Sequence, residues 1–268
     1  MNCKDSLLVM LSRKVSKEVT ELHHFTKVEN LISILESGEF YHSFCLEQTD
    51  FLSVKNDSLK EMAFAMVCFA DVLESEKSRF EKQFKADSYI IMDKNWAISK
   101  GVAPVMYSAN NCMSSAALSI LLENFAYMRQ NGLNALKHDF IKSFEAASSA
   151  LNIIIGYAKK YQGNYFLERD DKCERLIFTT DETLFFLERE WRHIPLVKDG
   201  ESYFINREQF KDVAFVEYEK QKLKKYALPF TKNDIVKIFA PSEYRQELID
   251  ILVNKYSCSL DEVNKLMC

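Results

Sequence analysis

The sequence predicts an α+β fold. Short apolar strand candidates are separated by loops of uneven length, and helical periodicity is gathered in one internal stretch and at the C-terminus. Regular strand–helix–strand alternation, the signature of a parallel sheet, is missing.

The elements follow in order. Residues 5–20 mix apolar and charged side chains and read as a helix leading into a first strand, Leu22 to Phe25. Thr26 is a candidate N-cap, with Glu29 completing a capping box. The next helix turns Val28, Leu31, Ile32, Ile34 and Leu35 inward, and Gly38 ends it as a left-handed C′ residue. Met62 to Phe69 is a continuous apolar run and reads as a buried strand. Asp71 to Lys85 is charged and reads as an exposed helix. Tyr89 to Met92 is a strand, Asp93 to Lys100 a helical turn closed by Gly101, and Pro104 to Tyr107 a further strand.

Residues 112–160 differ from what precedes them. Apolar residues recur at helical spacing through Leu118, Leu122, Phe125, Leu133, Leu136, Phe140, Phe144, Leu151 and Ile155, with a turn at Asn131-Gly132. This predicts a single domain over residues 1–268 that carries a helical insertion at about 112–160. Strands are expected again at Arg175 to Thr179, Tyr203 to Ile205, Val213 to Tyr218 and Ile235 to Phe239. Two helices close the chain, the second starting at Ser259 with Glu262 as its capping-box partner.

Composition narrows the function classes. The chain has 268 residues, and its 47% hydrophobic and 28% charged content is that of a globular protein. Six glycines and four prolines leave little room for long flexible linkers. A net charge of −4 argues against a surface wholly given to nucleic acid. Seven cysteines form no C-x-x-C pair and no zinc spacing, so no metal is expected. An odd cysteine count without a signal peptide or membrane span fits reduced thiols in a cytoplasm. Glycine-rich phosphate cradles, H-E-x-x-H and G-x-S-x-G motifs are all missing.

Two constellations hold functional side chains. In His23-His24-Phe25-Thr26, His24 and Thr26 share one face of a strand and offer an imidazole and a hydroxyl to one ligand. A structural His beside an N-cap Thr explains the same residues. In Phe186 to Arg192, strand phase would put Glu188, Glu190 and Arg192 on one face. They read either as a solvated edge with interleaved ion pairs or as a cleft carboxylate held by Arg.

The stretch Leu22 to Gly38 resembles the opening motif of the AbiGi family of abortive phage-resistance proteins and the first NAD-binding motif of DarT-like ADP-ribosyltransferases. Met66 to Asp71, Trp96-Ala97, Gly101 to Tyr107, Glu188 to Arg192 and Ile235 to Phe239 resemble later family blocks in the same order. Asp87 to Met92 departs from the glycine-containing second motif of the transferases. The resemblance implies an ADP-ribosyltransferase-like split β-sheet that binds NAD as substrate. His24 and Thr26 would contact the ribose and nicotinamide end, Tyr107 would stack on nicotinamide, and Glu190 would be catalytic, with Glu188 its competitor. Glu190 would then stabilise an oxocarbenium-like centre and deprotonate the acceptor.

The function expected on this basis is a defence toxin that transfers ADP-ribose to a macromolecule and is held in check by a cognate antitoxin. The run Lys220 to Tyr226 is the one basic stretch that favours a nucleic-acid acceptor, RNA or DNA; a solvated helix face explains it equally. A glycohydrolase that uses water as acceptor is a third possibility. The alternative from a different class follows from the family's description as the antitoxin side of its pair. The chain would then be a catalytically inactive binding module, with the helical insertion as its partner surface.

Overall fold

The structure, a computed structural model, describes residues 20–52, 60–73, 76–110, 112–131, 138–164, 166–170, 175–179, 182–198 and 201–267. Its principal strands are β1 (Glu21–Thr26), β2 (Ser43–Gln48), β3 (Glu61–Ala70), β4 (Ser88–Asp93), β5 (Met106–Ser108), β6 (Ala158–Lys160), β7 (Glu190–His193), β8 (Phe204–Asn206) and β9 (Ile235–Phe239). The principal helices are α1 (Val28–Ser37), α2 (Lys77–Phe84), α3 (Lys94–Ser99), α4 (Met113–Asn131), α5 (His138–Gly156), α6 (Val213–Leu223), α7 (Arg245–Tyr256) and α8 (Leu260–Leu266). The fold is mixed, combining helices with mainly antiparallel sheets. The chain separates into two compact units. The helix expected before Leu22 and the Gly132 turn, with Leu133 and Leu136, lie outside the described residues.

The first unit comprises the described parts of Met1–Ser33, Asp71–Ser99 and Thr231–Cys268. Among its described residues, strands β9, β4 and β1 pair antiparallel in that order. Aromatic side chains line up across the register. Phe25 lies opposite Tyr89, with ring centroids 5.4 Å apart, and Tyr89 stacks on Phe239 at 5.0 Å. Such cross-strand pairs stabilise a sheet by fixing its register. Phe80 of α2 stacks on Phe25 and is fully buried, which anchors the otherwise charged helix. Leu248 and Leu252 of α7 and Val263 of α8 are buried, and Met267 bridges to Ile238 of β9. Ser259 and Glu262 form the expected capping box.

The start of α1 differs from the sequence expectation. Thr26 remains in β1, paired with Ser88, and the N–H of Val28 donates to Asp87 Oδ1 at 2.8 Å. The helix end is therefore capped by a residue on the neighbouring strand's approach. A carboxylate there satisfies an orphan donor and meets the positive end of the helix dipole.

The second unit comprises the described parts of Ile34–Ala70 and Lys100–Phe230. Gly38 ends α1 with φ 73°, as its position predicts. β3 is the centre of this unit. It pairs antiparallel with β2 from Ser43↔Met66 to Gln48↔Glu61, with β8 through Phe204↔Phe64, and with β7 through Glu190↔Ala70 and Arg192↔Cys68. Residues 62–67 are all buried, so both faces of β3 are covered, which is why its sequence is continuously apolar. Leu122 of α4 and Leu151 and Ile155 of α5 pack into the same core as Phe51, Phe64 and Ile205.

Three stretches read as strands fold otherwise in whole or in part. Val213 to Tyr218 lies in helix α6, because Asp212 caps it by accepting from the N–H of Phe215. Its buried residues, Val216, Glu219 and Leu223, recur at helical spacing. Phe185 to Glu188 is a 3₁₀ turn, and Arg189 is left-handed with φ 45° before β7 begins. Pro104 to Tyr107 is broken at Val105, whose N–H donates to the carbonyl of Glu190 at 2.9 Å.

Candidate functional site

The second unit carries a buried cluster of ionisable side chains. β7 alternates its side chains, so Glu190 and Arg192 share one face. Arg192 is fully buried. Its Nε donates to Glu190 Oε1 at 2.6 Å and its Nη2 to Glu190 Oε2 at 3.0 Å. Nη2 also donates to Glu47 Oε1 at 2.6 Å, and Nη1 to the Gly156 carbonyl at 2.8 Å. Lys159 of β6 donates to Glu190 Oε2 and to Glu188 Oε2, both at 2.8 Å. Tyr107 of β5 accepts from the backbone N–H of Glu190 at 2.8 Å.

The register shows how the backbone brings these groups together. Arg192 lies opposite Cys68 and Glu47 opposite Met62, six positions apart on β3. A flat strand would separate them by about 20 Å. Their contact at 2.6 Å shows that the paired strands do not lie flat here, with the long Arg192 side chain bridging the remaining separation. Gly156 fits this crowded place because a Cβ there would lie 2.5 Å from Ile194 Cδ1 and 3.0 Å from Phe64 Cδ1. The Cys45 and Cys68 thiols hydrogen-bond to each other beside Arg192, which lowers the pKa of Cys45 and raises that of Cys68.

Charge counting decides the protonation of the cluster. Among the described residues, Glu47, Glu188 and Glu190 form ion pairs with two cations, Lys159 and Arg192. Burial opposes ionisation of Glu190, but Arg192 and Lys159 outweigh it and hold its carboxyl well below the usual range. Glu188 touches Lys159 alone of the two cations. Burial dominates there and pushes its pKa up to about 7. Lys159 and Arg192 are held cationic by the carboxylates against the cost of burial. Burial raises the Tyr107 phenol. The cluster therefore takes up one proton near neutral pH, and Glu188 is its carrier.

A histidine pair lies in the same unit. His42 Nε2 and His193 Nδ1 are 2.7 Å apart. Burial lowers His42 to about 3 and His193 to about 4, so both rings are neutral at neutral pH. Among the described residues, no group of three His, Cys, Asp or Glu side chains is placed to hold a metal ion. No helix among them is long and apolar enough to cross a membrane.

The residues singled out in the sequence divide between the units. His24 and Thr26 share one face of β1 in the first unit. Tyr107, Glu188 and Glu190 meet in the second, although Glu188 arrives through the 3₁₀ turn rather than strand phase. Glu47, Lys159, Gly156 and the His42–His193 pair were not foreseen. A hint lay in Ala158-Lys159, where a lysine directly follows a long apolar helix. The basic run at Lys220 to Tyr226 is paired. Lys220 binds Glu217 at 2.8 Å, Lys222 binds Glu219 at 2.6 Å, and Lys225 binds Glu201. These pairs offset most of its charge, as expected of a solvated helix face.

The family model described as "Putative abortive phage resistance protein AbiGi, antitoxin" matches residues 38–241. The match covers well over half of the chain, which therefore belongs to the AbiGi family. It contains the whole buried cluster and the histidine pair, and begins after His24 and Thr26. No curated protein and no solved structure matches the chain. The description as an antitoxin overturns the expectation of a toxin that transfers ADP-ribose.

Proposed function

We propose that this AbiGi-family chain is the antitoxin arm of an abortive-infection pair and acts by binding its toxin protein. The family match over residues 38–241 carries this reading. The buried cluster is consistent with it. Both oxygens of Glu190 accept from Arg192 and Lys159, and Arg192 also donates to Glu47, so the network ties β7, β6 and β2 into a fixed scaffold. Buried ionic networks of this kind favour one arrangement of the backbone over its competitors. A scaffold with a fixed surface suits recognition of a protein partner.

Co-expression tests the reading. The cognate toxin expressed alone arrests growth, and this chain restores it and co-purifies with the toxin. Growth arrest by this chain alone, with no effect on the toxin, would overturn it.

A further inference from the structure

The turn that carries Glu188 runs between two fixed points. Before it, Phe185 is buried, and Lys159 Nζ lies 4.8 Å from its ring centre. After it, the Glu190 N–H donates to Tyr107 at 2.8 Å and the Glu190 carbonyl accepts from Val105 at 2.9 Å. The segment between is loosely tied. The Phe186 N–H donates to the Tyr161 carbonyl and the Arg189 N–H to the Phe186 carbonyl, each at 3.4 Å. Both exceed the usual range of about 2.7–3.2 Å. Arg189 is left-handed, a conformation disfavoured for any residue with a Cβ. Phe186 and Leu187 are exposed, and the Phe186 ring stacks on that of exposed Tyr161 at 5.2 Å. The Glu188 carboxyl fastens the segment inward by accepting from Lys159 at 2.8 Å.

That fastening depends on charge. Among the described residues, the ionisable groups around Glu188 are Lys159 of β6, Glu190 and Arg192 of β7, Glu47 of β2 and Tyr107 of β5. Three ionised carboxylates beside two cations would leave one negative charge uncompensated in a buried site, which is costly. Glu190 takes the same Lys159 ammonium at 2.8 Å and Arg192 as well. Glu188 is thus the less firmly held of the two carboxylates on Lys159, and it sits on the loosely tied segment. We propose that residues 186–189 form a proton-operated latch, closed on Lys159 while Glu188 is protonated and swung outward when the proton leaves. The proton passes to water, and so does the carboxylate, which escapes the uncompensated site. Opening also frees Arg189 from its left-handed conformation, lifts Phe186 from Tyr161 and uncovers Lys159 and Glu190. One protonation event at a buried group then biases a two-state element of the backbone.

Fluorine NMR of the full chain with 4-fluorophenylalanine at position 186 is the test. It uses the chain alone, so its outcome is separate from that of the growth assay. With rising pH the signal should move from its folded value towards that of an unstructured peptide of residues 182–192. Burial places the Glu188 titration at about 7, so the change should be about one tenth complete at pH 6 and about nine tenths at pH 8. Glu188→Gln should keep the closed signal throughout. Glu182→Gln, which alters an exposed carboxylate beside the turn, should keep the wild-type transition. A signal indifferent to pH, or a transition that persists in Glu188→Gln, would overturn the proposal. So would a transition that does not approach the peptide value, since Glu188 would then ionise in place.

Discussion

Replacing Glu188 with Gln should make the protein more stable at alkaline pH. The carboxyl is 2% exposed, and its pKa is pushed from 4.5 to about 7. Between these values the folded state holds a proton that the unfolded chain has released. Folded protein then binds more protons than unfolded, so wild-type stability falls as pH rises through this window. Each pKa unit is worth about 1.4 kcal/mol, so the loss approaches about 3 kcal/mol by pH 8. Gln keeps the shape and an acceptor for Lys159 but cannot ionise. The contribution of Glu190 has the opposite sign. Its depressed pKa adds stability above the ordinary carboxylate range and loses it in acid, and it is common to both proteins. Urea denaturation of both proteins at pH 5, 6, 7 and 8 measures the difference. The curves should nearly coincide at pH 5 and separate to about 2–3 kcal/mol at pH 8, with the variant more stable. Parallel profiles, or a variant less stable than wild type at pH 8, would show that folding does not raise the pKa of Glu188. The charge count of the cluster would then be wrong.

Other perturbations read other parts of the structure. Arg192→Met leaves Glu190 and Glu47 buried beside one cation, and should cost about 3–5 kcal/mol in the same denaturation assay. Gly156→Ala places a methyl group against Ile194 and the Phe64 ring, and should cost about 1–3 kcal/mol by calorimetry or urea. Asp87→Ala removes the acceptor for the Val28 N–H and should cost about 1 kcal/mol. Thr26→Ala should cost less than half as much, whereas the capping role expected from sequence would reverse that order.

The legible parts of the fold were those whose signal is local. β3 announced itself as an apolar run because both its faces are covered. Gly38 and the Ser259–Glu262 box punctuate helices within a few residues. α4 and α5 show the 3.6-residue period along their length. What could not be read depends on contacts distant in sequence. Asp87 caps a helix 59 positions away, and Lys159 meets Glu188 29 positions on. Val213 to Tyr218 is a short apolar run, ambiguous between strand and helix until the Asp212 cap decides it. Glu188 and Glu190 were correctly placed together but for the wrong reason. The turn ending at left-handed Arg189 aims Glu188 at Lys159. The transferase expectation rested on a series of short motifs from Leu22 to Phe239 in shared order, whereas the family match over residues 38–241 begins after His24 and Thr26 and carries the antitoxin description.

The most direct test of the antitoxin account is growth under separate and joint induction of this chain and its cognate toxin. The account predicts normal growth with this chain alone, arrest with the toxin alone, and recovery with both, accompanied by a complex that survives purification. Arrest by this chain alone, relieved by its partner, would contradict it.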